Sequence, residues 1–550
     1  MVRTIAAWLS GAAQPNEIRY ITIARGILSG AGYTGLDRRF PDIIQPPLHP
    51  LMLAAALLLP GPELGISRAV SILMGSLLVL PGAFLARRLF GEKVARRTAF
   101  LVASYPLLAH TASAVLTEST FTLLVLMGVL TLWRALDLDD RRSQSFKALG
   151  AGILFGFSFL TRPEGLAFLV AAAIVLVVGL RFRGNSWGAI SRSGGCLLAG
   201  FAIMVLPYLL WIHGKTGQWM PAPKATLVWV HHALIHSGQL EGWKEPFGST
   251  FFFERVKFGL NDDASAIRSH ELFAAASGVP IAGMLGSEDA GDALFEPEIA
   301  GGLVMRNLAK LYLETAKNGY VLPPLLLVLG GIGLTCTPWT GPFRRSALIA
   351  LIFFLGSLSS LLTLVVPRYL CTAVVIVLPW IAEGWHRVEV WLLASCSSAG
   401  ARHATGRRKI VRAAVGVVVI GLTVVHLAPA VRITSGLWAE HRELGLWFRQ
   451  TAGEESSVMS ATPVVSYYAG TRFEVLPYAD LEEVLMYARN RRTEFLVADT
   501  HEILTHRPQL ARLLTSARPH PGLELIKALH ERTPHAIYLY RVTASAPAGH

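Results

Sequence analysis

Between residues 67 and 431 the chain repeats one pattern: an apolar stretch as long as a membrane-crossing helix, a short spacer, then another apolar stretch. A helix rises about 1.5 Å per residue, so roughly 20 mostly apolar residues cross the hydrocarbon layer. Ten stretches approach that rule, near 67–86, 98–115, 119–135, 148–161, 165–181, 194–212, 320–338, 346–366, 369–392 and 410–431. The apolar stretch 47–60 is too short and reads as a re-entrant or interfacial helix. Composition agrees, with 52% hydrophobic and only 16% charged residues, less charge than a soluble domain carries. The expected fold class is a polytopic α-helical membrane protein of about ten transmembrane helices.

A net charge of +13 would suit nucleic acid, but the positions of the charges speak against it. Lys and Arg gather in alternate spacers: Arg87, Arg88, Lys93, Arg96 and Arg97; then Arg134, Arg141, Arg142 and Lys147; then Arg181, Arg183 and Arg192. The series ends with Arg344 and Arg345, and with Arg402, Arg407, Arg408, Lys409 and Arg412. The spacers between these offer only Arg162 and Arg368. Short basic spacers stay on the cytoplasmic side, so the turns "LTEST" and "TRPEG", the loop 213–319 and the C-terminal tail face outward. Residues 1–66 then lie outside too, although nothing in the first 13 residues can cross a bilayer. A helix preceding this sequence is therefore expected. Cys196, Cys336, Cys371 and Cys396 show neither metal-ligand spacing nor a disulfide framework.

The membrane unit is expected over 1–432, with outer segments at 14–66 and 213–319. In the first, Asn16 is a good cap for a helix "EIRYITIARGIL" that Gly30 and Gly32 can end, and "QPPLHPL" is an extended proline turn. The second carries amphipathic patches such as "FFFERVKFGL" and reads as a lid on the bilayer surface, with a partly disordered connector as the plainer alternative. Over 433–550 the pattern changes. "SSVMSA", "FEVLP", "EFLVAD", "LELIKAL" and "AIYLYRV" read as strands, and "LEEVLMYARN" and "PQLARLLTSA" as helices between them. This is a small extracytoplasmic α/β domain without a glycine-rich phosphate loop, and it is read as accessory.

Polar groups converge on the outer side: Glu17 with Arg19 and Tyr20, Glu118, Arg162, and Arg368 with Tyr369, and Lys215 and Lys224 could join them. Carboxylates near a membrane boundary can act as general bases, and planar guanidiniums grip phosphate. Acids and cations at a lipid-facing site suit a reaction on a lipid-linked phosphosugar, the base taking a proton from an acceptor hydroxyl and the cations stabilising the departing phosphate. Plainer readings stand beside this one. Glu17 and Glu118 sit at helix starts, where the helix dipole favours an acid, and the arginines can anchor helix ends at headgroups. His49, His110 and His213 are too scattered to suggest a metal site, and Tyr20 and Trp219 can serve as interfacial aromatics or sugar contacts.

The ordered motifs "NEIRYITIARGIL…QPPLHPLMLAA", "SRAVSILMGSLLVLPGAFLARRLFG", "YPLLAHTASAVLTEST", "GFSFLTRPEG" and "PRYL" resemble the bacterial GT-C glycosyltransferases, in particular the lipid A aminoarabinose transferase and protein O-mannosyltransferase group. The resemblance covers residues 14–392. It implies a polytopic bacterial inner-membrane enzyme with an extracytoplasmic active site, a polyprenyl-phosphate sugar donor, a lipid, glycan or protein acceptor, and inversion at the anomeric carbon. It leaves a divalent cation open as cofactor. Carried over, it puts the acidic pair on Asn16 and Glu17, a second acid on Glu118, donor-phosphate contacts on Arg162, Arg368, Tyr369 and Lys224, and acceptor or sugar contacts on Asn16 and Tyr20. The family pattern has Asp where this chain has Asn16, and an amide cannot act as a base. The base is then Glu17 or Glu118, or the chemistry is altered. A transporter or flippase would show polar groups near the bilayer middle and internal repeats. A non-catalytic binding protein of the same fold is the other rival.

Overall fold

The computed structural model describes residues 11–36, 41–216, 297–312, 321–362, 365–397, 438–451, 456–477, 480–515 and 520–543, with isolated positions between them. Lys224, most of the 213–319 loop and most of the expected helix at 410–431 lie outside the described residues.

Helix α1 (Pro15–Leu28) starts with Pro15 at its first turn and Gln14 as its cap, two residues before the expected Asn16; the Gln14 N–H donates to Glu17. It stops ahead of Gly30 and Gly32, whose φ values of +77° and +83° favour glycine. The short apolar stretch forms α2 (Leu48–Ala56). Then follow α3 (Glu63–Leu77), α4 (Val79–Phe90), α5 (Glu92–Ser104), α6 (Pro106–Ser113), α7 (Glu118–Asp137), α8 (Arg141–Phe159), α9 (Gly165–Phe182) and α10 (Trp187–Thr216). Helix α11 (Pro297–Tyr312) lies within the 213–319 segment, and beyond that segment come α12 (Pro324–Thr335), α13 (Gly341–Ser357) and α14 (Cys371–Ser397), with 3-10 turns at Leu358–Leu362 and Pro367–Leu370.

Among the described residues, six helical stretches are long and apolar enough to cross a membrane: Glu63–Phe90, Glu118–Asp137, Gly165–Phe182, Trp187–Lys215, Phe343–Leu362 and Pro367–Ser395. The other expected spans within the described residues differ for local reasons. The 98–115 stretch breaks at Tyr105, which is extended (ψ 125°) because Pro106 disfavours a helical residue before it. The 148–161 stretch is the apolar half of α8, whose other half begins "RRSQSFK". The 320–338 stretch keeps only 12 helical residues, from Pro324 to Thr335.

Ion pairs sort the helix ends into two faces. At one face Arg88 pairs with Asp137, Arg183 with Asp139 and Arg97 with Glu389, joining the basic spacers. At the other, the nearly uncharged turns meet through Glu118, Arg162 and Arg368. Helices α12 and α14 cross at backbone contact: a Cβ on Gly384 would lie 1.8 Å from the Leu329 carbonyl oxygen, and one on Gly333 2.0 Å from that of Trp380. One apolar core joins α4 to α9 with α12, α13 and α14.

The C-terminal part holds α15 (Ala439–Thr451), β1 (Ser457–Ser460), α16 (Val464–Ala469), β2 (Arg472–Val475), α17 (Leu481–Asn490), β3 (Phe495–Asp499), α18 (Thr500–His506), β4 (Leu523–Leu529) and β5 (Ile537–Val542). The strand order is β2-β1-β3-β5-β4; β1 pairs parallel with β2 and β3, and β5 antiparallel with β3 and β4. All five residues of β3 are buried, as a strand covered on both faces should be. The stretch expected as helix at 508–517 forms a shorter 3-10 turn, Pro508–Leu513. Helix α16 rests on the membrane part: Val464 packs with Ala13 and Ile18, Tyr468 Oη accepts from the Ala13 N–H at 2.8 Å, and Arg25 lies over the Tyr467 ring.

Candidate active site

Glu17 faces the protein interior and is fully buried. Arg68, on α3, donates from Nε to Glu17 Oε1 and from Nη2 to Oε2, each at 3.0 Å. The Val115 N–H donates to Oε1 at 2.9 Å and the Gln14 N–H to Oε2 at 2.8 Å. Two bonds to each oxygen leave no direction open for an acceptor hydroxyl. The geometry is that of an anchor joining α1, α3 and the turn before α7, which differs from the free base expected at this position. Asn16 is half-buried beside it.

The next layer orders the proline turn. Arg19 donates from Nε and Nη2 to Asp42 Oδ2 at 2.9 and 2.7 Å, both side chains buried. Asp42 Oδ1 accepts from the Ile44 and Gln45 N–H groups at 3.0 Å each. Tyr20 Oη donates to Gln45 Oε1 at 3.1 Å and its ring meets His49 edge-on, with centroids 5.1 Å apart. Tyr20 thus stands in a wall between α1 and α2 rather than in a bilayer belt. Both ring nitrogens of His49 are buried without a hydrogen-bond partner.

Three residues after Val115 comes Glu118, the first residue of α7, buried at 4% exposure. Its Oε1 accepts from Arg162 Nη1 at 2.9 Å and lies 3.4 Å from Arg368 Nε, while Oε2 is buried without a hydrogen-bond partner. Arg162 also reaches Glu164, with Nη2 2.7 Å from Oε1 and Nε 3.4 Å from Oε2. Its guanidinium stacks 3.9 Å from the Tyr369 ring centroid, and that of Arg368 lies 5.4 Å from the same ring. Phe121, Arg162, Glu164, Ser359, Tyr369 and Thr372 line a small hollow here, with room for about one water.

Glu118, Arg162, Arg368 and Tyr369 are therefore brought into one cluster, with Glu17 behind it through the Val115–Glu118 turn. Lys215 is exposed at the end of α10, outside this cluster. The sequence reading missed Arg68 and Glu164. A cation amid apolar residues of α3 was the available signal for the first. Among the described residues no group of three His, Cys, Asp or Glu could hold a metal.

Comparison with solved structures bears on the fold. ArnT from Cupriavidus metallidurans, bound to undecaprenyl phosphate, matches with a TM-score of 0.54 at 14% identity over 100% of this chain and 97% of that one. The Archaeoglobus fulgidus oligosaccharyltransferase in complex with Zn and sulfate matches with a TM-score of 0.57 at 13% identity, over 96% of this chain and 72% of that one. The chain has the fold of a GT-C glycosyltransferase. Residues 44–228 match the dolichyl-phosphate-mannose-protein mannosyltransferase family. The undecaprenyl phosphate-alpha-4-amino-4-deoxy-L-arabinose arabinosyl transferase of Pseudomonas aeruginosa is 27% identical over 209 residues. That stretch is 37% of this chain and 37% of the arabinosyl transferase, so the match spans little more than a third of that relative's length. The GT-C fold and the apolar helices make this a multi-pass membrane protein.

Proposed function

We propose that this protein transfers a sugar from a polyprenyl-phosphate donor to a hydroxyl of a lipid, glycan or protein acceptor, at the extracytoplasmic face of the bacterial inner membrane. Residues 1–432 form the catalytic membrane unit and 433–550 an accessory domain. The observation that carries this reading is a buried carboxylate, Glu118, in contact with two guanidiniums at the end of the bundle where the turns hold no other Lys or Arg.

In the reaction Glu118 takes the proton of the acceptor O–H. The acceptor oxygen bonds to the anomeric carbon from the face opposite the phosphate, and the C–O bond to phosphate breaks with its electron pair on the leaving oxygen. Arg162 and Arg368 stabilise the charge that gathers there. Tyr369 holds both guanidiniums over its ring. Asn16 and Tyr20 border the sugar or acceptor, Lys224 adds a further contact to the donor phosphate, and Glu17 fixes the turn that presents Glu118. Three classes of partner support the reading in the names of similar proteins: undecaprenyl phosphate, a sugar-phosphate lipid and a protein acceptor.

The test is transfer by the purified full chain in liposomes loaded with undecaprenyl-phosphate-linked sugars, with envelope extracts as acceptor and product read by mass spectrometry. Glu118→Gln is expected to lower turnover by about 100-fold to 10,000-fold, the range for losing a general base. Unchanged transfer by Glu118→Gln would remove the proposed base.

A further inference from the structure

The cations assigned to the donor phosphate are already matched by carboxylates. Arg162 gives Nη1 to Glu118 and Nη2 to Glu164, and Arg368 Nε stands beside the same Glu118 oxygen. Two guanidiniums and two carboxylates leave this cluster without surplus positive charge to attract an anion. Arg19 and Arg68 add none, being paired with Asp42 and Glu17.

The contacts are unequal. Arg162 is 8% exposed and clamped between two carboxylates, one of them bidentate. Arg368 is 27% exposed, and its Nε sits 3.4 Å from Glu118 without forming a hydrogen bond. Arg368, tied besides to the Tyr369 side chain, has one carboxylate contact against the two that hold Arg162, and is the cation that an arriving ligand can take with less loss. Glu118 then keeps one guanidinium instead of two, and its proton affinity rises, because a nearby cation favours the ionised carboxylate.

We propose that the donor phosphate and Glu118 compete for the same guanidiniums: the phosphate draws Arg368 away, Glu164 keeps Arg162 in place, and Glu118 becomes free to take the acceptor proton only once the donor is seated. This rests on the donor reading above. It makes Glu164 a positioning residue and orders the two substrates, donor before acceptor. It also keeps the empty site from presenting a strong base.

Undecaprenyl phosphate is the probe. Its affinity is measured for the full chain in nanodiscs, for wild type, Glu118→Gln and Glu164→Gln, at one pH and one ionic strength, with thermal unfolding recorded for each. Competition requires Glu118→Gln to bind the phosphate lipid tighter than wild type, by about 10-fold, because the rival for Arg368 has lost its charge. Glu164→Gln, which loosens Arg162 from its other partner, is expected to bind tighter by a smaller factor and serves alone if the first variant does not fold. A purely structural carboxylate would not improve binding when neutralised. Equal or weaker binding by the folded variants would overturn the competition and leave the donor site standing. Absence of binding in wild type would overturn the donor reading itself.

Discussion

At the scale of single residues, the two acids that look alike in sequence do different work. Glu17 has both oxygens filled, while Glu118 keeps one oxygen unbonded inside the protein. Removing one member of a buried ion pair strands the other, at a typical cost of about 3–5 kcal/mol. Arg68→Ala should therefore lower the thermal unfolding midpoint sharply, whereas Glu118→Gln, which leaves Arg162 paired with Glu164, should lower the midpoint less and activity far more; differential scanning fluorimetry beside the transfer assay separates them. Arg162→Lys is a second check at this scale. Lysine cannot grip Glu164 with two nitrogens and stack on Tyr369 at once. The expected result is a rise of about 10-fold or more in donor KM with the fold intact. The Glu17 anchor was not legible in the sequence because its partners lie 51 and 98 residues away in the chain. Glu118, Arg162 and Arg368 were legible because charge is rare in those turns.

At the scale of elements, apolar length located the helices and local chemistry decided where they end. Tyr105 is the clearest lesson: the hydrophobic run continues through it, and the following proline alone turns it out of the helix. The same holds for the cap of α1, where Pro15 moves the start back to Gln14. All five strands of the C-terminal domain were readable from short β-branched and aromatic runs, but their order, with β1 in the parallel half and β5 antiparallel to both neighbours, was not. The crossing of α12 and α14 supplies a prediction of its own. A leucine at Gly384 would put its Cβ against the Leu329 carbonyl, a backbone atom that cannot rotate away. Gly384→Leu should part the two helices and reduce the yield of folded protein in detergent, measured by size-exclusion chromatography, while Gly331→Leu, where a Cβ meets nothing, should be tolerated.

For the whole molecule, the C-terminal domain carries a pH-dependent brace. His441 is buried, with Nε2 3.5 Å from Asp499 and Nδ1 3.3 Å from Glu440. Burial alone would push its pKa down, but the Asp499 and Glu440 carboxylates outweigh that and hold it up at about 9. A histidine with a raised value stabilises the fold fully below its unfolded pKa of 6.5, and that contribution is lost as pH rises through about 9. Stability on the order of 3 kcal/mol should fade between those limits. Thermal unfolding from pH 6 to pH 10 should show the decline in wild type and a flatter profile in His441→Gln. The same cluster holds the Asp499 and Glu440 carboxyls below their usual range, so the brace also weakens in strong acid.

The seat of α16 on α1 links this brace to the membrane part. Ala13 and Ile18 flank Glu17 in sequence, and Val464 and Tyr468 cover them. A shortened protein ending ahead of residue 438 would leave that end of α1 facing water, with the amide of Ala13 robbed of its phenol and the Arg68 clamp open to solvent. The outlying sheet is in that sense a keystone: chemistry in the bilayer would feel its removal, though none of its side chains touches the reacting atoms.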